Sequence, residues 1–366
     1  MNIRPLLFAV VMLAMPALTV AAESAFRTDG GDEKLPWFRL HAVDFPPAGS
    51  AHAISGELIA VDHVNRAGVL RVDRNGSQRT DDYDQPLPFT LLPYGSVRYH
   101  GAPSDLHDVP LGTHLHGQFF VEEKGGKQIF SRVLNLVDDF SLLEDSKRLW
   151  RVDEVALDKQ TLVVTGISTI DGKADEKATK YQIYPSTRVW QGRSIASTKD
   201  VQVGQQILLN PTVCTLKGPG RCTDLWLDGE SRTLAATQQL ELHRQFQREH
   251  GLAARVDEVD NPNHLVTMTI FDGVDRGLLE EIRLKDHIAV AVAEENLRTH
   301  DQNNDTARGP VTERRESPPG PGNSGIKITF KPSELLEGYR PNRIVRIFSG
   351  GWRVDDLPLE ERFYEK

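Results

Sequence analysis

Apolar and polar residues alternate along most of the chain in runs of five to ten residues, broken by Gly, Pro, Asn and Asp. Alternation of this kind predicts half-buried β-strands. The pattern is clearest from Trp150 onward. Arg151-Val-Asp-Glu-Val155 and Thr161-Leu-Val-Val-Thr165 flank a polar turn and predict a hairpin. Lys180 to Trp190 predicts two more strands around Pro185, and Asp200-Val-Gln-Val-Gly204 leads into a fifth at Gln205–Leu209. Helical spacing is confined to a short acidic-start segment at Asp139–Lys147 and a longer one at Ser231–His250. For the longer segment Ser231 is the expected N-cap, Gly251 the expected stop, and Ala235, Leu242 and Phe246 a narrow apolar stripe.

The strand pattern repeats. Glu57-Leu-Ile-Ala-Val61 and Arg255-Val-Asp-Glu-Val259 echo Arg151 to Val155. Phe89 to His100 matches Tyr181 to Trp190, and Asp108 to Phe120 matches Asp200 to Leu209, with Gly112 where Gly204 stands. Gly338, before Ile344-Val-Arg-Ile-Phe348, takes that place in a third copy. Each of the three glycines is expected to open its strand with a positive φ. Several segments matching in order signal an internal repeat.

The division that follows is a leader at 1–22, a lead-in at 23–54, and three units at 55–149, 150–252 and 253–366. The first two units each end in a connector helix. Residues 301–325, rich in Asn, Pro, Gly and mixed charge, are expected to be a disordered insertion in the third unit. Trp352-Arg-Val-Asp355 repeats Trp150-Arg-Val-Asp153 and either starts a truncated fourth unit or closes the third. The fold class expected is mainly β: three tandem small Greek-key β-barrels joined by short helices, because closing a small twisted sheet removes its edges.

The hairpin, the Thr187-Arg-Val189 strand and the Asp200-Val-Gln-Val-Gly204-Gln-Gln-Ile207 segment together resemble the OB-like domains of uncharacterised function found in exported bacterial proteins. The resemblance covers all three units and is clearest over Arg151 to Leu209. It implies an OB-like barrel fold and brings no catalytic residues with it.

Export is expected independently. Met1-Asn-Ile-Arg4 is a short basic start, Pro5 to Leu18 an apolar stretch, and Thr19-Val-Ala-Ala22 a small-residue cleavage site. The apolar stretch is short for a membrane span and no second one follows, so no integral membrane segment is expected after cleavage. Periplasmic or secreted location suits Cys214 and Cys222, which bound a seven-residue loop containing Gly218-Pro-Gly220 and are expected to form a disulfide. The rival readings, a metal pair and a redox dithiol, lack nearby ligands and Cys-x-x-Cys spacing. The net charge of −9, with Lys and Arg scattered among acidic residues, argues against a nucleic-acid partner.

Candidate chemistry centres on histidine. Seven of the twelve lie between His41 and His116. His114 and His116 share one strand face and form a candidate copper or zinc pair, with His100 or His107 as the third ligand. The alternative is a polar barrel face with Leu115 pointing into the core. Acidic neighbours such as Asp138-Asp139 and Glu280-Glu281 diverge on a strand or helix and are expected to be solvated. No serine-nucleophile elbow, His-Glu-x-x-His or phosphate-cradling glycine loop occurs. The five tryptophans fit core or joint packing better than a sugar platform. The function expected is a non-catalytic binding or scaffold role, toward a protein or a cell-surface polymer and without a cofactor. A periplasmic metal-binding protein and an unrecognised hydrolase are the alternatives.

Overall fold

The computed structural model describes residues 26, 35–41, 44–63, 65–73, 86–145, 147–212, 220–292 and 306–352. Residues 1–25, Cys214 and the segments 293–305 and 353–366 lie outside them. Three closed barrels follow one another along the chain, each around its own apolar core.

Barrel 1 contains β1 (His52–Asp62), β2 (Ala67–Val72), β3 (Pro86–Tyr99), β4 (Ala102–Ser104), β5 (His114–Lys124) and β6 (Lys127–Asp138). Its ring runs β1-β2-β3-β6-β5 and back to β1, with β3 and β6 parallel and β4 paired to β3 outside the ring. Barrel 2 repeats this arrangement with β7 (Arg148–Ala156), β8 (Thr161–Ser168), β9 (Thr179–Gln191), β10 (Ser194–Ala196), β11 (Gln206–Thr212) and β12 (Gly220–Trp226). Its parallel pair is β9 and β12. A five-stranded Greek-key ring with one parallel closure is the OB-type solution to the edge problem.

Barrel 3 is built differently. Its six strands are β13 (Leu252–Asp260), β14 (Leu265–Phe271), β15 (His287–Val292), β16 (Thr306–Glu316), β17 (Asn323–Phe330) and β18 (Ile344–Ser349). They close in the order β13-β14-β17-β16-β15-β18, antiparallel throughout. The expected disordered insertion at 301–325 is therefore corrected over its described part: β16 sits in the barrel wall between β15 and β17. Its inward positions are Ala307, Gly309 and Val311. A Cβ on Gly309 would lie 1.9 Å from the Lys331 carbonyl oxygen, so the strand must be small where it faces inward. Small inward residues and charged outward ones look like loop in a sequence.

The repeat shows in the backbone. A bulge at Ile59, Asp153 and Asp257 falls at the same place in the first hairpin of each barrel. The amides of Gly112 and Gly204 donate to the Leu58 and Val152 carbonyls, both at 2.8 Å, with φ of 89° and 87°. In barrel 3 the equivalent residue is Asn342, with φ of 72° and a 2.7 Å bond to Val256. Gly338 has no positive φ; it is a glycine because a Cβ there would strike Val292 at 2.5 Å. The expectation of three equivalent glycines thus holds for Gly112 and Gly204 and fails for Gly338. Asn is the side chain that best tolerates this conformation after glycine has been set aside.

Helix α1 (Asp139–Asp145) links barrels 1 and 2, and α2 (Gly229–His250) links barrels 2 and 3. Asp228, not Ser231, caps α2, accepting from the Ser231 amide at 2.7 Å. The buried face of α2 is polar rather than the expected apolar stripe: Ser231, Gln239, His243 and Gln247 are inside, while Leu242 is exposed. Gln239 reaches Asp108 of barrel 1 at 3.1 Å. His243 and Gln247 reach the Gly273 carbonyl of barrel 3 at 2.8 and 3.2 Å. A short helix, α3 (Arg276–Leu279), follows β14.

Barrel 3 folds back against barrel 1. Phe45 of the lead-in, Tyr94 of barrel 1 and Phe271 of barrel 3 form an edge-to-face triad with centroids 5.1 to 6.2 Å apart. The Arg255 guanidinium lies 4.2 Å from the Phe45 ring centroid. Aromatic pairs of this kind contribute about 0.5–1.5 kcal/mol each beyond their area burial. The lead-in is therefore a wedge between barrels as well as an entry segment.

The tryptophans pack as expected in kind, though the joint is a different one. Trp150 and Trp352 lie in the cores of barrels 2 and 3, so Trp352 closes the third unit. Trp226 makes the joint, packed with Phe140 of α1, Leu208 of β11 and Ala235 of α2. Among the described residues no helix is long and apolar enough to cross a membrane.

Candidate functional site

The outward face of β1 and β5 in barrel 1 collects charge where α1 and barrel 2 cover it. Strand alternation puts Leu115 in the core and turns His114 and His116 outward. Opposite them on β1 stand Glu57 and Ser55, in register with His114 and His116 respectively. The β5–β6 hairpin places Asp138 across from Leu115, so the next residue, Asp139, starts α1 directly over the two histidines.

His114 is held at both ring nitrogens. Its Nδ1 is 2.6 Å from Asp139 Oδ2, and its Nε2 is 2.6 Å from Asp73 Oδ2. The same Asp73 oxygen accepts from Ser55 Oγ at 2.6 Å. The Nε2 of His116 lies 2.8 Å from Asp139 Oδ1, and the two imidazoles stand edge to face with centroids 4.8 Å apart. Side-chain exposure is 2% for His114, 10% for Asp139 and 35% for His116, so the cluster is closed on one side and open on the other.

The electrostatics follow from this enclosure. Burial alone would lower the His114 pKa. The Asp139 charge and the hydrogen bonds to Asp139 and Asp73 more than reverse that, raising it to about 10. Burial would raise Asp73, but the hydrogen bond and charge of His114 outweigh it and hold the carboxyl below its ordinary range. At neutral pH His114 therefore stays protonated between Asp139 and Asp73.

Glu57, 5% exposed, continues the seam by pairing with Arg71 of its own barrel and Arg221 of barrel 2. Nearby, the Arg188 Nε lies 2.7 Å from the fully buried Asp224, and Arg188 also donates to the Tyr99 hydroxyl of barrel 1 at 3.0 Å.

Two predicted ligands lie elsewhere. His100 is walled in by Tyr99, Phe140 and Trp226, with centroids 3.8, 5.7 and 5.0 Å away, and burial pushes its pKa down to about 4. His107 pairs with Asp108 at 3.0 Å in the turn after β4 and packs on Phe246 of α2. Neither joins His114 and His116. Their partners are Asp139 and Asp73.

The expectation that Asp138 and Asp139 are solvated is also corrected. Asp138 is fully buried, accepts from the Ser141 and His100 amides at 3.1 and 3.3 Å, and is pushed by burial up to about 7. The two neighbours do diverge, but into two different buried sites. Cys222 lies buried in β12, where burial pushes its thiol pKa up. Its expected partner Cys214 lies outside the described residues.

Barrel 1 also carries an apolar concavity of about 500 Å³, lined by Val61, Val69, Pro88, Phe89 and Ile129 among others. No known family matches the chain, and no curated protein or solved structure matches it either.

Proposed function

We propose that the chain is an exported, non-catalytic binding or scaffold protein, presenting a fixed three-barrel surface to a protein or cell-surface polymer in the periplasm or outside the cell. The observation that carries this reading is how the barrels are fastened. Glu57 of barrel 1 is shared with Arg221 of barrel 2, and the polar face of α2 holds barrels 1 and 3 together. Buried ion pairs contribute little net stability, yet breaking one by removing a partner costs about 3–5 kcal/mol. Such contacts act mainly to fix orientation. A composite binding surface spanning several barrels needs that constraint, whereas independent barrels on a string do not.

The placement of the titratable groups supports the non-catalytic part. Outside the His114–His116 cluster, His100, His243 and Asp138 are all at least nine-tenths buried and engaged with neighbours. Export rests on the leader at 1–22 and on the Cys214–Cys222 spacing. A disulfide there would close a short loop and contribute about 2–3 kcal/mol. Peptide mapping of unreduced protein checks it, with two free thiols as the contrary result.

The role is tested by co-sedimentation of tag-free protein with purified envelope polymers, together with cross-linking in intact envelopes. Saturable binding that Arg221→Glu weakens, with each barrel still folded, is the expected result. Turnover of a generic ester, glycoside or phosphate substrate by wild type would contradict the reading.

A further inference from the structure

The His–Asp cluster is built in two layers, and the layering distinguishes it from an ordinary ion-pair network. His114 Nδ1, His116 Nε2 and the Asp139 carboxylate converge from β5 and the start of α1, with their donor atoms within 4.8 Å of one another. Behind them, the far nitrogen of His114 faces Asp73, which is itself fixed by Ser55. We propose that His114 Nδ1, His116 Nε2 and Asp139 form a binding site for one divalent transition-metal ion of the Zn²⁺ type, with Asp73 as the positioning residue behind His114.

The donor set is two imidazole nitrogens and a carboxylate oxygen, a combination that suits Zn²⁺ with one coordination position left for water. The partly open side at His116 supplies both the entry path and that fourth position. A metal-bound histidine ordinarily donates its other ring N–H to a carboxylate, which sets its tautomer and aim. The Nε2–Asp73 contact provides this before any ion arrives.

In the ion-free form the Nδ1 proton bridges His114 and Asp139. On binding, the ion takes the place of that proton, the Nε2–H stays with Asp73, and the proton leaves to solvent. Donor atoms around tetrahedral Zn²⁺ stand about 3.3 Å apart. The 2.6 and 2.8 Å contacts, made by the two different Asp139 oxygens, therefore have to open by less than an ångström, while the widest donor separation, up to 4.8 Å, has to close by about 1.5 Å. Asp139 is the first residue of a seven-residue helix rather than part of a strand ladder, so that adjustment breaks no strand hydrogen bond at this residue.

The site also explains two features otherwise unrelated. A second histidine is placed at i+2 although His114 alone would satisfy both carboxylates. Asp139 also turns both of its oxygens toward imidazoles.

The test uses full-length, tag-free protein stripped with a chelator and titrated with ZnCl₂ by calorimetry, with Co²⁺ absorption as a second readout. Wild type should bind one Zn²⁺ per chain and give the intense visible bands of four-coordinate Co²⁺. His116→Gln, at a half-exposed position that leaves the fold intact by circular dichroism, should weaken Zn²⁺ binding at least about 100-fold. Asp73→Asn should weaken it about 10–100-fold and shift the Co²⁺ bands, as loss of an outer partner does. His107→Gln, at a histidine outside the cluster, should bind as wild type does. No stoichiometric binding by wild type, or equal binding by wild type and His116→Gln, would overturn the proposal.

Discussion

The amide of Asn342 donates to the carbonyl of Val256 at 2.7 Å, the bond that Gly204 makes to Val152 one barrel earlier. Both donors have positive φ, and in both barrels the bond lies beside the bulge in the first hairpin. A Cβ at Gly204 would meet nothing within 4 Å, so Gly204→Ala isolates the backbone cost and should destabilise barrel 2 by roughly 1 kcal/mol. At Gly56 a Cβ would lie 2.4 Å from the Arg71 carbonyl oxygen, and Gly56→Ala should cost clearly more. Denaturant unfolding of the two variants checks the order.

Glu57 is the shared anion of the seam. Glu57→Gln leaves Arg71 and Arg221 facing an uncharged amide in a partly buried site. A loss of about 2–4 kcal/mol is expected, less than for a fully buried pair because both arginines are about one-third exposed. Barrels 1 and 2 should then melt in separate steps by calorimetry. A single unchanged transition would show that the seam is not what couples them.

The dependence of stability on pH follows chiefly from His100, Asp138 and His114. His100, pushed down to about 4 from 6.5, contributes stability that is complete above pH 6.5 and is lost as the pH falls through 4. Asp138, raised to about 7 from 3.8, contributes stability that is complete below pH 3.8 and is lost as the pH rises through 7. Between these limits the two trends oppose each other, and His243, which burial also lowers, adds to the His100 side. His114, raised to about 10, contributes stability that is complete below pH 6.5 and is lost on rising toward 10, so stability should fall over that range. His114→Gln should remove most of the alkaline decline, and His100→Gln should expose the fall due to Asp138. Urea unfolding across pH 4–10 tests all three signs.

Replacing residues 306–316 with a Gly/Ser linker should unfold barrel 3, since it removes a wall strand paired on both sides. Retention of a cooperative barrel 3 transition after that replacement would contradict the strand assignment.

The hairpins, the units and the shared strand face of His114 and His116 were legible because period-two alternation and turn residues report directly on which side a residue faces. Four things were hidden, each for a physical reason. β16 has Ala307, Gly309 and Val311 inside, so its strand signal is weak. Asn342 replaces glycine at the turn, while the nearby Gly338 is a glycine because it packs against Val292 and not because of its φ. Asp139 and Asp73 reach His114 only through the docking of α1 and the close of the first hairpin, a convergence that spacing along one strand cannot reveal. The phenylalanine at 45 likewise acquires its role only when barrel 3 folds back on barrel 1.

The central claim is that the three barrels form one fixed array, and a distance measurement between barrels tests it most directly. Ile170 of barrel 2 and Leu284 of barrel 3 are exposed at 79% and 53% and suit spin labels after Ile170→Cys and Leu284→Cys substitution. Pulsed electron paramagnetic resonance should give a single narrow distance distribution in the otherwise wild-type protein, broadened by Glu57→Gln. A broad distribution without that substitution would contradict the account.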